Sequence, residues 1–430
     1  MKNARSAAFD VLYKIEYEGA YTNIALKDEF LAHEFDERDK RLISAIVYGC
    51  VRYKLRLDYI ISNFSSVKLK KISEKILIIL RMGVFQIMFL DKVPDSAAVN
   101  EQVKLAVKMQ YKSKGFVNAV LRSVSREKEN IKYDSLSVKY SYPEELIEFF
   151  EGEFSDTEKL LSALNQEKKI AIRVNSKKTT KDELLCLLEE RGIRAERSEV
   201  KNALIISGED FTNLDLYNDG LFTVQGLSSI LAVDALCVRE GDFCIDMCAA
   251  PGAKSTYIGE TAKEVLSFDI HPHKAELIKK NAERMGLLNI KAEARDSSVT
   301  DNSLLEKADR VLCDVPCAGL GIISKKPDIK YSYTKEGHKE LKELQLKILK
   351  AGASYVKKGG ILVYSTCSLG NFENIDNVNK FLEENKDFEL ESIEDILPES
   401  LVCDTAKKGY INIFPEGEYD GFFIARMRKQ

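Results

Sequence analysis

Apolar residues in the first third of the chain recur at intervals of three and four, which is the spacing of an amphipathic helix. The pattern is clearest in residues 8–15, 42–47 and 76–84. Pro94, the one proline in this region, marks a turn before a further helix. The pattern predicts an all-helical domain over residues 1–135.

The pattern changes in residues 140–222. Short runs of β type alternate here with one helical stretch, at positions 170–174, 180–190, 202–207 and 221–224. Gly192 suits the end of the helix. We expect a small α/β domain of the RRM type over this region.

From residue 223 onward, strand-like and helix-like stretches alternate regularly, which is typical of a parallel sheet covered by helices on both faces. The predicted strands are at 243–247, 265–270, 290–294, 310–314 and 361–364, and the predicted helices are at 255–262, 274–285 and 335–356. Two further strands, at 410–413 and 422–427, are expected at an antiparallel edge. The sequence therefore predicts a multidomain chain whose C-terminal part, residues 223–430, is a Rossmann-like α/β domain.

Charge is unevenly distributed along the chain. The net charge is −4, yet residues 1–140 carry 25 lysines and arginines against 17 acidic residues. An excess of positive charge on the helical domain fits a polyanionic partner such as a nucleic acid. A solvated helical surface explains the same excess equally well, so charge alone leaves both interpretations open.

Several classes of protein are disfavoured by the sequence. The first ten residues lack the apolar core of a secretion signal, and the most apolar stretch, 76–90, contains Arg81 and Gln86 and is shorter than a membrane span. The nine cysteines include no C-x-x-C pair, and no histidine has a metal-ligand spacing with them. We therefore expect a cytoplasmic protein with reduced thiols, no membrane contact and no metal site.

The loop after the first predicted strand of the C-terminal domain is a candidate ligand site. The strand ends at Asp246, and the loop reads Cys248-Ala249-Ala250-Pro251-Gly252-Ala253-Lys254, with Ser255 expected to start the next helix. Small residues allow the backbone to approach a ligand closely, and open α/β sheets bind ligands at this edge. The loop matches neither G-x-G-x-x-G nor G-x-x-x-x-G-K-[ST], which disfavours a phosphate-binding function.

Acidic residues follow the next two predicted strands. Asp269 is placed to hydrogen-bond a ribose diol, and Asp296 is placed to accept a hydrogen bond from an adenine amino group. Each acid alone is more often a helix cap or a turn residue. Together they fit an adenosine ligand without a pyrophosphate, and they predict S-adenosylmethionine as the cofactor.

Two cysteines follow the fourth and fifth predicted strands. Cys317 ends the run Asp314-Val-Pro-Cys, and Cys367 lies in Ser-Thr-Cys-Ser, so both thiols are expected over the crevice that holds the methyl donor. A thiolate that adds to C6 of cytosine makes C5 able to attack a methyl group, and cysteine is both a strong nucleophile and a fair leaving group. Asp314 is placed to contact N3 of the base. Small buried cysteines are the alternative interpretation, and these residues alone do not rank the two thiols.

The motifs at 246–254, 314–317 and 366–368 resemble the RNA 5-methylcytosine methyltransferases of the Nol1/Nop2/Sun family. The likeness extends over nearly the whole chain. A likeness to the NusB-like domain of the bacterial Sun branch is found at residues 80–86, 93–94, 97–101 and 115–122. A likeness to the middle segment of that branch is found at residues 173–175 and 220–229.

The resemblance implies an S-adenosylmethionine-dependent enzyme that methylates C5 of a cytosine in 16S ribosomal RNA. It makes Cys367 the nucleophile and Cys317 the residue that assists product release. It also assigns the 248–254 loop, Asp269, Asp296 and Asp314 to the cofactor or to the base beside it. The target cytosine must be unpaired or flipped out to expose C6. We expect the enzyme to act as a monomer.

Two departures from the family pattern concern the cofactor loop and the segment after Cys317. Ala253 stands where the family usually has a second glycine, and residues 324–330 carry lysines where relatives tend to have an arginine. We expect RNA phosphates to be bound by the basic helical domain together with Lys325, Lys326 and Lys330. Tyr331 and Tyr333 are candidates for stacking on a base, but packing within the loop is favoured for each of them.

Two other functions are compatible with parts of the sequence. The NusB-like region alone suits a non-catalytic RNA-binding or antitermination factor, and the sheet alone suits a dehydrogenase. The intact cofactor loop and the two thiols argue against the first function. The missing dinucleotide fingerprint argues against the second.

Overall fold

The structure is a computed structural model that describes residues 2–207 and 214–430. The chain divides into two compact units, one comprising Met1–Asn165 and Ile323–Ser332 and the other comprising Gln166–Ile322 and Tyr333–Gln430. In the described ranges no helix is long and apolar enough to cross a membrane. Nor do these ranges contain a cluster of three or more side chains that could hold a metal ion.

The first unit is helical, as the apolar spacing predicts. Its helices are α1 (Ala4–Glu18), α2 (Thr22–Ala32), α3 (Glu37–Arg52), α4 (Lys54–Phe64), α5 (Glu74–Phe89), α6 (Asp95–Gln110), α7 (Lys114–Glu127), α8 (Leu136–Tyr140), α9 (Glu144–Glu153), α10 (Thr157–Asn165) and the later α16 (Ile329–Ser332). Helix α5 is the most apolar of these and has eleven of its sixteen residues buried. It lies at the centre of the hydrophobic core, so its apolar run is a core helix.

Residues 323–332 belong to this helical unit although they follow Cys317 in the sequence. Lys330 is only 1% exposed, and its ammonium donates hydrogen bonds to the carbonyl oxygens of Arg52 (3.0 Å) and Ser141 (3.2 Å) and to Oδ1 of Asn165 (2.7 Å). Burial lowers the pKa of Lys330 well below its usual value. The expectation that Lys330 binds RNA phosphates is therefore wrong, because its charged end is enclosed by protein carbonyl groups.

Tyr331 packs against the same helical core, and its hydroxyl lies 3.3 Å from the hydroxyl of Ser141. Of the two interpretations of this side chain, packing is the one that the structure supports.

The second unit contains a small four-stranded antiparallel sheet. The elements of this part are β1 (Ile170–Val174), α11 (Lys181–Glu190), β2 (Arg194–Arg197), β3 (Ala203–Ser207), α12 (Asp215–Asn218) and β4 (Phe222–Val224). The order of the strands in the sheet is β2-β3-β1-β4. Ile172 and Leu204 on one face of the sheet pack against Leu184 and Leu188 of α11. The sequence does not reveal β2, because none of its residues is buried and it lacks an apolar alternation.

The same unit contains a larger sheet with the order β10-β12-β9-β8-β5-β6-β7, and β11 pairs with β12. The elements are α13 (Leu227–Asp234), β5 (Phe243–Asp246), α14 (Ala253–Gly259), β6 (Glu264–Asp269), α15 (Pro272–Met285), β7 (Ile290–Ala294), β8 (Ala308–Asp314), α17 (Lys335–Tyr355), β9 (Val356–Thr366), α18 (Ile375–Glu384), β10 (Phe388–Leu390), α19 (Asp404–Lys407), β11 (Tyr410–Ile413) and β12 (Phe422–Lys429). Strands β5 to β9 are parallel, as predicted. Strand β5 pairs with β6 on one side and with β8 on the other, so a topological switch point lies at their carboxyl ends.

Two details of this unit, one in the sheet and one in a helix, differ from the prediction. Strand β12 is not at an edge; it lies between β9 and β10, antiparallel to both, which explains why its residues 422–427 are all buried. Helix α14 begins at Ala253 and not at Ser255, because Gly252 adopts a left-handed conformation and caps it.

Candidate functional site

The loop between β5 and α14 is built on a glycine that no other residue can replace without strain. Gly252 has φ = 105°, and a Cβ atom added there would lie 3.1 Å from the Cα atom of Ile278. The Ala249 amide donates to the carbonyl of Phe268 (2.7 Å), which ties the loop to the end of β6. The small residues of the loop thus let its backbone lie close to its neighbours, as the sequence suggests.

Asp246, the last residue of β5, is completely buried beneath this loop. Burial raises its pKa to about 6, although the Ser255 hydroxyl donates a hydrogen bond to it (2.6 Å) and Lys254 is nearby. Ser267 donates in turn to the oxygen of Ser255 (3.0 Å). Asp246 therefore fixes the first turn of α14 from below.

The two predicted nucleoside-binding acids lie at the ends of the next two strands. Asp269 ends β6, and its Oδ1 accepts a hydrogen bond from the His271 amide (3.0 Å). Asp296 follows β7 and accepts from the hydroxyl (2.7 Å) and the amide (2.9 Å) of Ser298, and these bonds lower its pKa. Both acids make the turn contacts that the simpler interpretation expects. Their contact with a nucleoside stays a prediction.

Asp314, at the end of β8, forms an ion pair that was not anticipated from the sequence. Its Oδ2 lies 2.6 Å from the Lys254 ammonium, and its Oδ1 accepts a hydrogen bond from the Ser365 hydroxyl (2.7 Å). Burial alone would lower the pKa of Lys254, but the negative charges of Asp314, Asp246 and Cys367 raise it. The 248–254 loop therefore brings a positive charge to the tip of β8.

The two predicted catalytic thiols are in contact. Sγ of Cys317 lies 3.2 Å from Sγ of Cys367, because β8 and β9 are parallel neighbours that pair Asp314 with Ser365. The Gly321 amide donates to the Cys367 carbonyl (2.9 Å), which holds the two loops together. The expectation that both strand tips meet at one place is confirmed by this geometry. The separate roles of the two sulfurs stay predictions.

The surroundings of the Cys317 thiol disfavour its ionisation. Its hydrogen bond with Cys367, its burial and the negative charges of Cys367, Glu373 and Asp314 raise its pKa well above the ordinary value. Burial also raises the pKa of Cys248 in the cofactor loop, which disfavours Cys248 as a nucleophile.

A buried glutamate beside the thiols was missed by the sequence analysis. Glu373 has no exposed surface. Its Oε1 accepts hydrogen bonds from the Ala318 amide (2.9 Å) and from Nε2 of Gln345 (2.7 Å). Its Oε2 accepts from the Ser368 hydroxyl and lies 2.9 Å from Nε2 of His338. In the sequence, Glu373 stands among polar residues just before α18, where an acid is normally a helix cap. Only its burial distinguishes it.

Comparisons with known proteins agree with this architecture. The family described as 16S rRNA methyltransferase RsmB/F matches residues 233–428, the NusB family matches residues 2–126, and the RsmF/B-like ferredoxin-like domain matches residues 142–210. These three matches confirm the predicted fold class, with a helical domain, a small α/β domain and a C-terminal methyltransferase domain.

Full-length relatives and solved structures give the same result. The chain is 35% identical over 445 residues to the probable ribosomal RNA small subunit methyltransferase B of Bacillus subtilis (strain 168), covering 100% of this chain and 99% of that protein. It is 28% identical to ribosomal RNA small subunit methyltransferase B of Serratia proteamaculans (strain 568), with 99% of each protein covered.

Among solved structures, the crystal structure of PH0851 superposes with a TM-score of 0.82 at 26% identity, over 100% of this chain and 98% of that one. The structure of NSun6 from Pyrococcus horikoshii with SFG has a TM-score of 0.60 at 22% identity, over 67% of this chain and 99% of that one, which supports the fold alone. The identity to full-length relatives, together with the three domain matches, shows that the chain belongs to the RsmB/F family of 16S rRNA methyltransferases.

Proposed function

We propose that this enzyme, a small-subunit ribosomal RNA methyltransferase dependent on S-adenosylmethionine, methylates C5 of a cytosine through a covalent Cys367–C6 adduct. The observation that carries the proposal is the contact between Cys317 and Cys367 at two neighbouring strand tips. The Asp314–Lys254 pair beside them supports it further. Two thiols at one site suit a reaction in which one sulfur attacks and is later expelled.

The residues around the 248–254 loop fit S-adenosylmethionine. The left-handed Gly252 keeps the loop free of side chain at its turn, and the absence of a phosphate-binding fingerprint suits a ligand without a pyrophosphate. Asp269 would hold the ribose diol, and Asp296 would accept from the adenine amino group. When bound, the cofactor supplies an electrophilic methyl group close to the thiols.

Cys367 would first lose its thiol proton to water, and the resulting thiolate would begin the reaction by forming a bond to C6 of the cytosine. The electron pair of the C5–C6 double bond moves into the ring toward N3, and C5 becomes nucleophilic. Asp314 would contact N3. A carboxyl group must carry a proton to donate a hydrogen bond to N3, and Lys254, whose pKa is raised by Asp314 2.6 Å away, keeps its own proton. Asp314 would therefore take up a proton from water as the base binds.

Product release reverses the first bond. After methylation, the C5 proton leaves to water, and the electron pair of the S–C6 bond returns to the sulfur of Cys367. The Cys317 thiol, 3.2 Å away and protonated, can donate a hydrogen bond to the departing sulfur and stabilise its negative charge. Cys317 thereby assists release without attacking the base.

The RNA must present the cytosine outside its stack, because C6 is otherwise shielded. The excess of positive charge in residues 1–140 and the exposed Lys325 and Lys326 are suited to phosphates. Such a substrate would place the enzyme with the ribosome in the cytoplasm. Its action as a monomer stays a prediction.

Substitution of the two cysteines tests the proposal. Purified wild-type enzyme, Cys367→Ala and Cys317→Ala are incubated with unmethylated 16S rRNA and S-adenosylmethionine labelled on the methyl group. Cys403→Ala, which removes an exposed cysteine, is the control. Wild type and the control should form 5-methylcytosine. Cys367→Ala should form none and still bind the cofactor, and Cys317→Ala should accumulate a protein–RNA adduct stable in denaturing gels.

Four outcomes would contradict the proposal. An adduct that forms with Cys367→Ala and is absent with Cys317→Ala would exchange the roles of the two sulfurs. Methyl incorporation at a position other than C5 of cytosine would refute the reaction. No incorporation into any RNA by wild type would favour the non-catalytic RNA-binding function, and retention of a nicotinamide dinucleotide in place of S-adenosylmethionine would favour the dehydrogenase.

A further inference from the structure

Glu373 lies at the point where the loops that carry the two thiols meet. One carboxylate oxygen accepts the amide of Ala318, which follows Cys317 directly, and the other accepts the hydroxyl of Ser368, which follows Cys367 directly. A single rigid carboxylate group is thus bonded to the neighbour of each sulfur. A completely buried carboxylate is stable only when its hydrogen-bonding capacity is filled. Here the Ala318 amide, the Gln345 side-chain amide and the Ser368 hydroxyl donate to it, and Nε2 of His338 lies 2.9 Å from its Oε2.

We propose that Glu373 is a positioning residue that makes the two thiols unequal, since it sets their separation and holds Cys317 as a neutral thiol so that Cys367 alone attacks. The proposal rests on the function proposed above. It adds a residue that touches neither the base nor the cofactor and acts through the two cysteines.

The surroundings of Glu373 keep its negative charge in place. Burial alone would raise its pKa, but the hydrogen bond and charge of His338, the Ser368 hydroxyl and the Ala318 amide lower it. His338 is itself oriented, because its Nδ1 lies 3.1 Å from the Tyr333 hydroxyl. The charged form of Glu373 is therefore favoured despite its burial.

Negatively charged groups influence the Cys317 sulfur. The sulfur of Cys367 and the carboxylates of Glu373 and Asp314 raise its pKa. The Lys254 ammonium, which pairs with Asp314, also interacts with Cys367. In this proposal Glu373 disfavours a negative charge on Cys317, and Lys254 favours one on Cys367.

The test measures each thiol separately in the full-length enzyme, without RNA. Wild type, Glu373→Gln and Ser368→Ala are alkylated with iodoacetamide between pH 6 and pH 10, and modification of Cys317 and of Cys367 is quantified by fragment-resolved mass spectrometry. Glu373→Gln keeps the shape and removes the charge. Cys317 should then be alkylated about tenfold faster at pH 8, as expected for a pKa lower by one unit. Ser368→Ala keeps the charge, so the Cys317 profile should stay as in wild type.

Methyl transfer by the same variants completes the test. Glu373→Gln should lower kcat at least about tenfold and leave KM for RNA unchanged, and Ser368→Ala, which loses one bond of the tether, should lower kcat less. A Cys317 pH profile in Glu373→Gln identical to that of wild type would refute the proposal, even if activity falls, because a purely structural role would not move it.

If Glu373→Gln does not fold, Glu373→Asp is measured in its place, since it keeps the charge and shortens the side chain. A Cys317 profile and a kcat both equal to those of wild type in Glu373→Asp would overturn the proposal, and a shifted Cys317 profile with a lower kcat would support it. The alkylation measurement needs neither RNA nor cofactor. It can therefore refute the role proposed for Glu373 while wild type still makes 5-methylcytosine, and it can support that role even if the proposed methylation of C5 is wrong.

Discussion

Replacing Arg173 by methionine should weaken both the second unit and its cofactor loop. Arg173 lies in β1 of the small sheet and is completely buried. Its guanidinium pairs with Glu260 at the end of α14, donates to Oε1 of Gln225 (2.8 Å) and donates to the hydroxyl of Thr256 (3.0 Å). One side chain thus joins the small sheet to the helix that follows the cofactor loop.

The size of the loss follows from what remains around Glu260. Removing one partner of a buried ion pair typically costs about 3–5 kcal/mol, because the other charge stays buried without compensation. Glu260 would keep two hydrogen bonds, from the amide (3.0 Å) and the hydroxyl (2.5 Å) of Ser176. We therefore expect a loss of about 3 kcal/mol, at the lower end of that range. Adding Glu260→Gln to Arg173→Met removes the uncompensated charge and should restore about 1–2 kcal/mol.

Urea unfolding followed by far-ultraviolet circular dichroism measures the change, since the chain contains no tryptophan for fluorescence. Isothermal titration with S-adenosylmethionine measures the effect on the loop, and Arg173→Met should raise the Kd. Arg310→Met is the matched control, because it breaks another buried pair, with Asp242, that has no contact with the loop. It should lower stability and leave the Kd unchanged. A double variant no more stable than Arg173→Met alone would refute the reasoning.

Two further predictions concern the loop itself. Burial raises the pKa of Asp246 in the folded state from 3.8 to about 6, so folding is accompanied by proton uptake at pH values between these two. The stability of wild type relative to Asp246→Asn should therefore increase by about 1 kcal/mol from pH 7 to pH 5. Denaturation at the two pH values checks this, and a difference independent of pH would contradict it. Gly252→Ala should raise the Kd for S-adenosylmethionine at least about tenfold, because the strained turn and the 3.1 Å contact with Ile278 shift the loop. Gly241→Ala, with a similar φ of 93° and open space around it, should leave the Kd unchanged, and an equal effect of both variants would show that the contact with Ile278 is irrelevant.

The parts of this molecule that are predictable from the sequence are those with a local signal. The parallel strands β5, β6 and β8 contain short apolar runs that end in an acid, and the helical unit has a clear three- and four-residue spacing. The meeting of Cys317 and Cys367 follows from topology, because the carboxyl ends of neighbouring parallel strands share one edge.

The features that the sequence does not predict depend on contacts between residues distant in sequence. Glu373 and Lys330 are charged residues in polar stretches, which normally lie at the surface. Their burial results from donors and acceptors that other elements supply, such as the Ala318 amide 55 residues before Glu373. Strand β12 has the continuous apolar run that suits an interior strand as well as an edge strand, so its place in the sheet depends on its partners.

The burial of Lys330 limits how the chain can be divided into separately expressed fragments. Only a few residues separate Cys317 from the segment 323–332, and that segment has its packing partners among helices encoded at the start of the chain. A gene fragment that begins after Asn165 would encode every strand of both sheets and still leave Lys330 with nothing to enclose it. Grafting the methyltransferase part onto a different helical module therefore requires that this ten-residue segment be redesigned with it.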